Sequence, residues 1–228
     1  MRALVYNGPG VSRESLKHTL AMLGSVRLIG RKGLAGDAWE AGTSLLVIPG
    51  GLDVPYCRAL NGPANQKIRA FVEGGGTYLG ICAGAYFAGN YVDFAQGTDI
   101  EVLGNRELGF FPGAVIGPNL APFDYTCASG ARAAKVGNST VYYNGGGYFA
   151  GADGIAGVEV LGRYEDGKAA IVSCRVGLGR AILSGVHFEY DPELLCLEDP
   201  QHREILPELR AGNRERIELI KWLLNLKA

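Results

Sequence analysis

Thr77-Tyr78-Leu79-Gly80-Ile81-Cys82-Ala83-Gly84-Ala85-Tyr86-Phe87-Ala88-Gly89 decides how this chain is read. The run from Thr77 to Ile81 has the length and apolar character of a buried strand. A helix is expected to start directly after it, around Ala83. Cys82 sits at the junction, where a sharp turn forces unusual backbone angles and needs small neighbours to close. Gly80, Ala83 and Gly84 supply them. The same local geometry is the nucleophile elbow written Gly-x-Ser-x-Gly, here with cysteine in the serine position. The positive end of the following helix lies beside the sulfur and favours the thiolate. Taken alone, the motif equally describes a small cysteine packed between glycines.

Working outward, short apolar runs alternate with helical patterns. Ala3–Tyr6, Val26–Ile29 and Leu45–Ile48 read as strands. Ser12 is an N-cap candidate with Glu14 in the first turn. Leu16, Leu20 and Leu23 then share one helical face, and Gly24 stops the helix. Pro63 opens another helix with Ile68, Phe71 and Val72 as its buried stripe, closed by Gly74-Gly75-Gly76. Strand–helix alternation over the first 90 residues predicts a flavodoxin-like, doubly wound, mainly parallel sheet with helices on both faces. The middle, about 95–165, is less regular. Its short runs Glu101–Leu103, Thr140–Tyr143 and Val158–Leu161 are expected to form partly antiparallel strands. Ala170–Val176 and Arg180–Gly185 flank Gly177-Leu178-Gly179 as a hairpin. From Asn213, Ile217, Ile220 and Leu224 recur at helical spacing. One domain, 1–228, is expected throughout.

Two further segments close predicted strands, and in such sheets ligands collect at the carboxyl ends of strands. His187-Phe188-Glu189 follows the strand ending near Val186. A cysteine nucleophile needs a base beside it and a carboxylate to orient that base, and residues two apart on extended chain point the same way. Pro49-Gly50-Gly51 ends the strand Leu45–Ile48, where bare amides can face a developing oxyanion. A surface His–Glu pair and an ordinary loop turn are the plain alternatives. His18, mid-helix, and His202, in a polar stretch, are read as solvated bystanders.

The chain has 228 residues, 47% hydrophobic and 20% charged, enough apolar material for a core. Its net charge of −1 argues against binding nucleic acid or an anionic membrane through bulk electrostatics. The 35 glycines cluster between apolar runs rather than at a three-residue period, which points to tight turns near a site. Five cysteines without a CxxC pair indicate neither a disulfide framework nor a zinc site. The first apolar run breaks at Gly8-Pro9-Gly10, unlike a signal peptide. These features are read as a cytoplasmic chain with no metal and no cofactor.

The order of a Pro-Gly-Gly turn, Gly-x-Cys-x-Gly at an elbow, and His-x-Glu after a late strand resembles the class I glutamine amidotransferases. Longer strings resemble the N-terminal domain of eukaryotic biotin–protein ligases and its free-standing relatives: LVYNGPGVSRESLKHTL (4–20), LLVIPGGLDVPYCRALNG (45–62), YLGICAGAYFAG (78–89), VYYNGGGYF (141–149) and ILSGVHFEY (182–190). The resemblance implies Cys82 as nucleophile, His187 as general base and acid, and Glu189 as its orienter. Gly50, Gly51 and the Ala83 amide would form the oxyanion hole. Two positions depart from the amidotransferase pattern: Tyr86 stands where Gln or His is common, and Phe188 where Pro is usual. The implied activity is hydrolysis of a small amide or related carbonyl. The alternative is a non-catalytic ligand-binding or regulatory module. By position, Asp53, Tyr56, Tyr86 and Asn144 are further substrate-binding candidates. Asp53 can meet an ammonium or guanidinium or simply cap its loop, and Asn144 can offer an amide or simply turn the chain. The expected partner is a small molecule, with a partner protein or a second copy of the chain left open.

Overall fold

Strands that must be buried on both faces are apolar at every position, and one such tetrad, Leu45–Ile48, lies inside the main sheet of the structure. The computed structural model describes residues 2–36, 38–121, 123 and 130–225. In chain order, the first half holds β1 (Ala3–Tyr6), α1 (Arg13–Leu23), β2 (Arg27–Ile29), α2 (Arg31–Gly36), β3 (Leu45–Ile48), α3 (Asp53–Leu60), α4 (Pro63–Glu73), β4 (Thr77–Ile81), α5 (Ala83–Phe87) and β5 (Gly89–Phe94). The second half holds β6 (Val102–Asn105), β7 (Phe111–Gly117), β8 (Ala131–Val136), β9 (Ser139–Asn144), β10 (Tyr148–Phe149), β11 (Val158–Arg163), β12 (Ala169–Val176), β13 (Gly179–Ser184), α6 (Pro200–Ala211) and α7 (Asn213–Leu224).

The main sheet has the order β11-β12-β13-β4-β3-β1-β2. Its five strands from β13 to β2 pair in parallel, whereas β11–β12 and β12–β13 are antiparallel. The parallel part reads 2-1-3-4-5 from the β2 edge, the flavodoxin-like winding. Side-chain alternation splits each central strand between two cores. Leu46 and Ile48 face a core shared with Leu60 of α3 and Ile68, Phe71 and Val72 of α4. Leu45 and Val47 face the other, with Ile220, Leu223 and Leu224 of α7 and the half-buried Leu16, Leu20 and Leu23 of α1. Helices therefore cover both faces. Ile217 of α7, expected in the stripe, is exposed, and Leu223 is buried in that face instead.

A second, four-stranded sheet in the order β10-β7-β5-β6 and a two-stranded ribbon β8–β9 occupy the middle of the chain. β5 begins right after the elbow helix and pairs in parallel with β7 and antiparallel with β6. Among the described residues no helix is long and apolar enough to cross a membrane. Cys57, Cys82, Cys174 and Cys196 are free thiols, and Cys127 lies outside the described residues.

Candidate active site

Cys82 follows the last residue of β4 at φ 50°, ψ −106°, left-handed in φ and strained for a residue with a side chain. Such a conformation costs about 1–3 kcal/mol and persists only where the surroundings enforce it. Here the Cys82 N–H donates to Ser184 O at 2.7 Å, while its carbonyl accepts from Ala85 and Tyr86 at 2.9 and 3.0 Å. The small residues are sterically required. A Cβ on Gly84 would lie 2.1 Å from Ile48 O, and one on Gly80 would lie 2.4 Å from Gly84 O. The elbow therefore closes against β3 on one side and β13 on the other.

β13 ends at Ser184, and the chain then carries His187 and Glu189 behind the sulfur. His187 N donates to Tyr142 O at 2.8 Å, which ties this segment to β9. His187 Nδ1 meets Glu189 Oε1 at 2.8 Å, both side chains being buried. Nε2 is the remaining ring nitrogen, and His187 and Cys82 line the same cavity. Burial alone would depress the imidazole. Glu189, bonded to the ring, and the neighbouring Cys82 outweigh it and push His187 up to about 10. At neutral pH the ring is therefore held as an imidazolium. The Cys82 Sγ also lies 3.7 Å from Asn144 O.

Of the three amides expected to face an oxyanion, Gly50 is already committed: it donates to Ser15 Oγ at 2.8 Å. Burial of the turn explains this, because a buried N–H left without a partner costs about 1–3 kcal/mol. Gly51 and Ala83 line the cavity. The bridge between Val11 and Gly51 is made by the flanking bonds Ser12 N to Gly50 O and Leu52 N to Gly10 O, so it does not use the Gly51 amide.

Cys82, His187, Gly51 and Ala83 share one cavity of about 730 Å³, a size that suits a small molecule. Asp53 lines it but is taken by Arg106, whose Nε and Nη2 lie 2.7 and 2.6 Å from Oδ2. Tyr56 does not line it. That residue is fully buried beneath the turn and donates its hydroxyl to Pro49 O at 2.9 Å, so it supports the turn rather than a ligand. Tyr86 lines the wall with its hydroxyl bonded to Gly145 O at 3.1 Å, and Asn144 lines it beside Cys82.

Ser15 was not singled out from the sequence, yet it joins the two halves of the site. Its hydroxyl donates to Glu189 Oε1 at 3.1 Å while accepting from Gly50. Nor are the other two histidines solvated. His18 is fully buried, stacks on Tyr190 at 4.0 Å, and accepts from Asp191 N at 3.0 Å. His202 is buried against the Tyr142 hydroxyl at 3.2 Å. The signal was present: Ser15, His18 and Thr19, at i, i+3 and i+4, form a buried polar stripe on α1 beside its leucine stripe.

The family model for the biotin–protein ligase N-terminal region matches residues 1–227. The chain belongs to the biotin–protein ligase N-terminal family. Over 247 aligned residues it is 35% identical to a biotin–protein ligase of Schizosaccharomyces pombe, covering 99% of this chain and 38% of that protein. It thus spans well under half of the ligase. It is 40% identical to an uncharacterized protein of Chlamydia muridarum, covering 98% of this chain and 95% of that one. A solved exo-β-1,4-mannosidase from an Opitutaceae bacterium superposes with a TM-score of 0.52 at 10% identity, over 98% of this chain and 36% of that one, a likeness of fold alone. In this family member, the strings Val141–Phe149 and Ile182–Tyr190 meet as β9, its glycine turn and the His187 segment. A Cβ on Gly146 would lie 1.5 Å from Gly185 O, so the two strings can touch only as glycine.

Proposed function

We propose that this chain is a cysteine-dependent hydrolase of small amides or related carbonyl compounds, with Cys82 as nucleophile, His187 as acid and base, and Glu189 as orienter. The observation that carries this reading is the buried Glu189–His187 pair at 2.8 Å, with His187 and the Cys82 thiol lining the same ligand-sized cavity. Sγ attacks the carbonyl carbon and a C–S bond forms. The oxyanion takes the amides of Gly51 and Ala83, each such donor being worth about 3 kcal/mol. His187 gives its Nε2 proton to the leaving nitrogen, and the C–N bond breaks. In the resulting thioester the sulfur carries no charge. Having given up that proton, the ring is the neutral base that deprotonates water. Water attack breaks the C–S bond, releases the acid and restores the thiolate.

The test is a screen of small amides with wild type and Cys82→Ala, alongside mapping of iodoacetamide adducts. Product formation that depends on Cys82, and alkylation of Cys82 well ahead of Cys57, Cys174 and Cys196, are expected. Alkylation of Cys82 no faster than the other three overturns the nucleophile. The likeness to the N-terminal part of a biotin–protein ligase favours a second reading, a ligand-binding or regulatory module. Ligand binding retained by Cys82→Ala, with no product from wild type, would select it.

A further inference from the structure

Much of the cavity wall away from Cys82 is apolar. Val92 and Phe94 come from β5, Val102 from β6, Ile100 from the connection between them, and Val11 and Leu52 from the opposite side. Apart from His187, the charged residues among the described lining are Asp53 and Glu101, both acidic. Asp53 holds Arg106, and Glu101 Oε2 accepts from Gly97 N at 2.7 Å. No lysine or arginine is found among the described lining residues, and residues 122–129, PFDYTCAS, contain none. The Tyr86 hydroxyl is committed to Gly145. A free amino acid brought to Cys82 would place its carboxylate among hydrocarbon, the acidic Glu101 and an Asp53 already paired with Arg106. A desolvated carboxylate without a counter-charge is strongly disfavoured. An alkyl or aromatic group in the same place gains by leaving water.

We infer that the cavity selects amides, or related acyl compounds, whose acyl part is apolar and bears no carboxylate, and that it rejects glutamine. This rests on the proposed Cys82 chemistry and adds the substrate class to it. β5 and β6 make one wall, and β6 is the edge of its sheet, so a charge placed at the half-buried Val102 changes that wall from an edge strand.

Three reagents with one reacting carbon test the inference: N-benzyl-2-iodoacetamide, 2-iodoacetamide and iodoacetate. Each Cys82 rate is divided by that reagent's rate with glutathione. The expected order is N-benzyl-2-iodoacetamide, then iodoacetamide, then iodoacetate, with about tenfold or more between first and last. Val102→Lys should shrink that ratio at least about threefold by supplying the missing counter-charge. Iodoacetate matching or exceeding the benzyl reagent at wild-type Cys82 overturns the inference. If Cys82 outpaces Cys57 and Cys196 with none of the reagents, the nucleophile reading fails separately. The pocket is then judged on Cys82→Ala by calorimetry with phenylacetamide and L-glutamine. Binding of phenylacetamide alone supports the inference, and binding of glutamine, or of neither, overturns it.

Discussion

Replacing Gly50 by alanine should silence the thiol while leaving the fold in place. A Cβ there would lie 2.5 Å from His187 Cε1 and 3.0 Å from Ser15 Oγ. Carbon pairs prefer about 3.5–4.0 Å, so the imidazole has to retreat by about 1 Å. Gly50 has no left-handed φ, so the backbone itself accepts alanine. The ring cannot retreat freely, because Nδ1 is bonded to Glu189 at 2.8 Å and the side chain is buried. It must lose alignment with either the carboxylate or the sulfur. Misplacement by about 1 Å costs roughly 100-fold in rate. The assay is the second-order rate of Cys82 alkylation by iodoacetamide at neutral pH, with thermal unfolding measured in parallel. Gly36→Ala is the control, since a Cβ there meets nothing within 4 Å. A folded Gly50→Ala protein with Cys82 reactivity within about threefold of wild type would refute the claim that the position of His187 activates the thiol.

Ser15→Ala strips a buried partner from both Gly50 N and Glu189 Oε1. It should cost about 1–3 kcal/mol in urea unfolding and slow Cys82 alkylation, whereas a loss below about 0.5 kcal/mol would contradict the bridging role. Two histidines should bound the stability–pH profile from opposite sides. Burial, only partly offset by Glu189, holds His18 down at about 4, so the unfolded chain binds the extra proton and stability falls as pH drops from about 6.5 toward 4. His187 is raised to about 10, so its contribution is complete below about 6.5 and is lost as pH rises toward 10. Cys82→Ala removes part of what raises His187 and should flatten the alkaline limb alone. An unchanged alkaline limb in that variant would show that Cys82 does not hold the imidazolium.

Much of the central layer could be read from residue patterns because its strands are buried on both faces. Leu45–Ile48 and Thr77–Ile81 leave no ambiguity between a half-exposed strand and a helix. The elbow and the His–Glu spacing were legible for the same reason: both are local and short. What escaped was set by distant contacts. α3 starts with Asp53-Val54-Pro55 straight after the glycine turn and looks like loop, and α6 carries Pro207 within it. β5 and β6 have mixed burial, and β5 pairs with β7 across an intervening strand, a crossing that no periodicity announces. Among the site candidates, sequence position brought Asp53 and Tyr56 near the turn but could not reveal that Arg106 claims one and Pro49 O the other.

The separate origin of the β5–β6 wall divides labour within the polypeptide. Cys82 follows β4 and His187 follows β13, both strands of the main sheet. The far wall draws on the smaller sheet, from its inner strand β5 and its edge strand β6. Under the proposed chemistry, rewriting the β6 edge alters which guests fit while the thiol stays in place, and exchange of the single sulfur leaves a receptor for the same compounds.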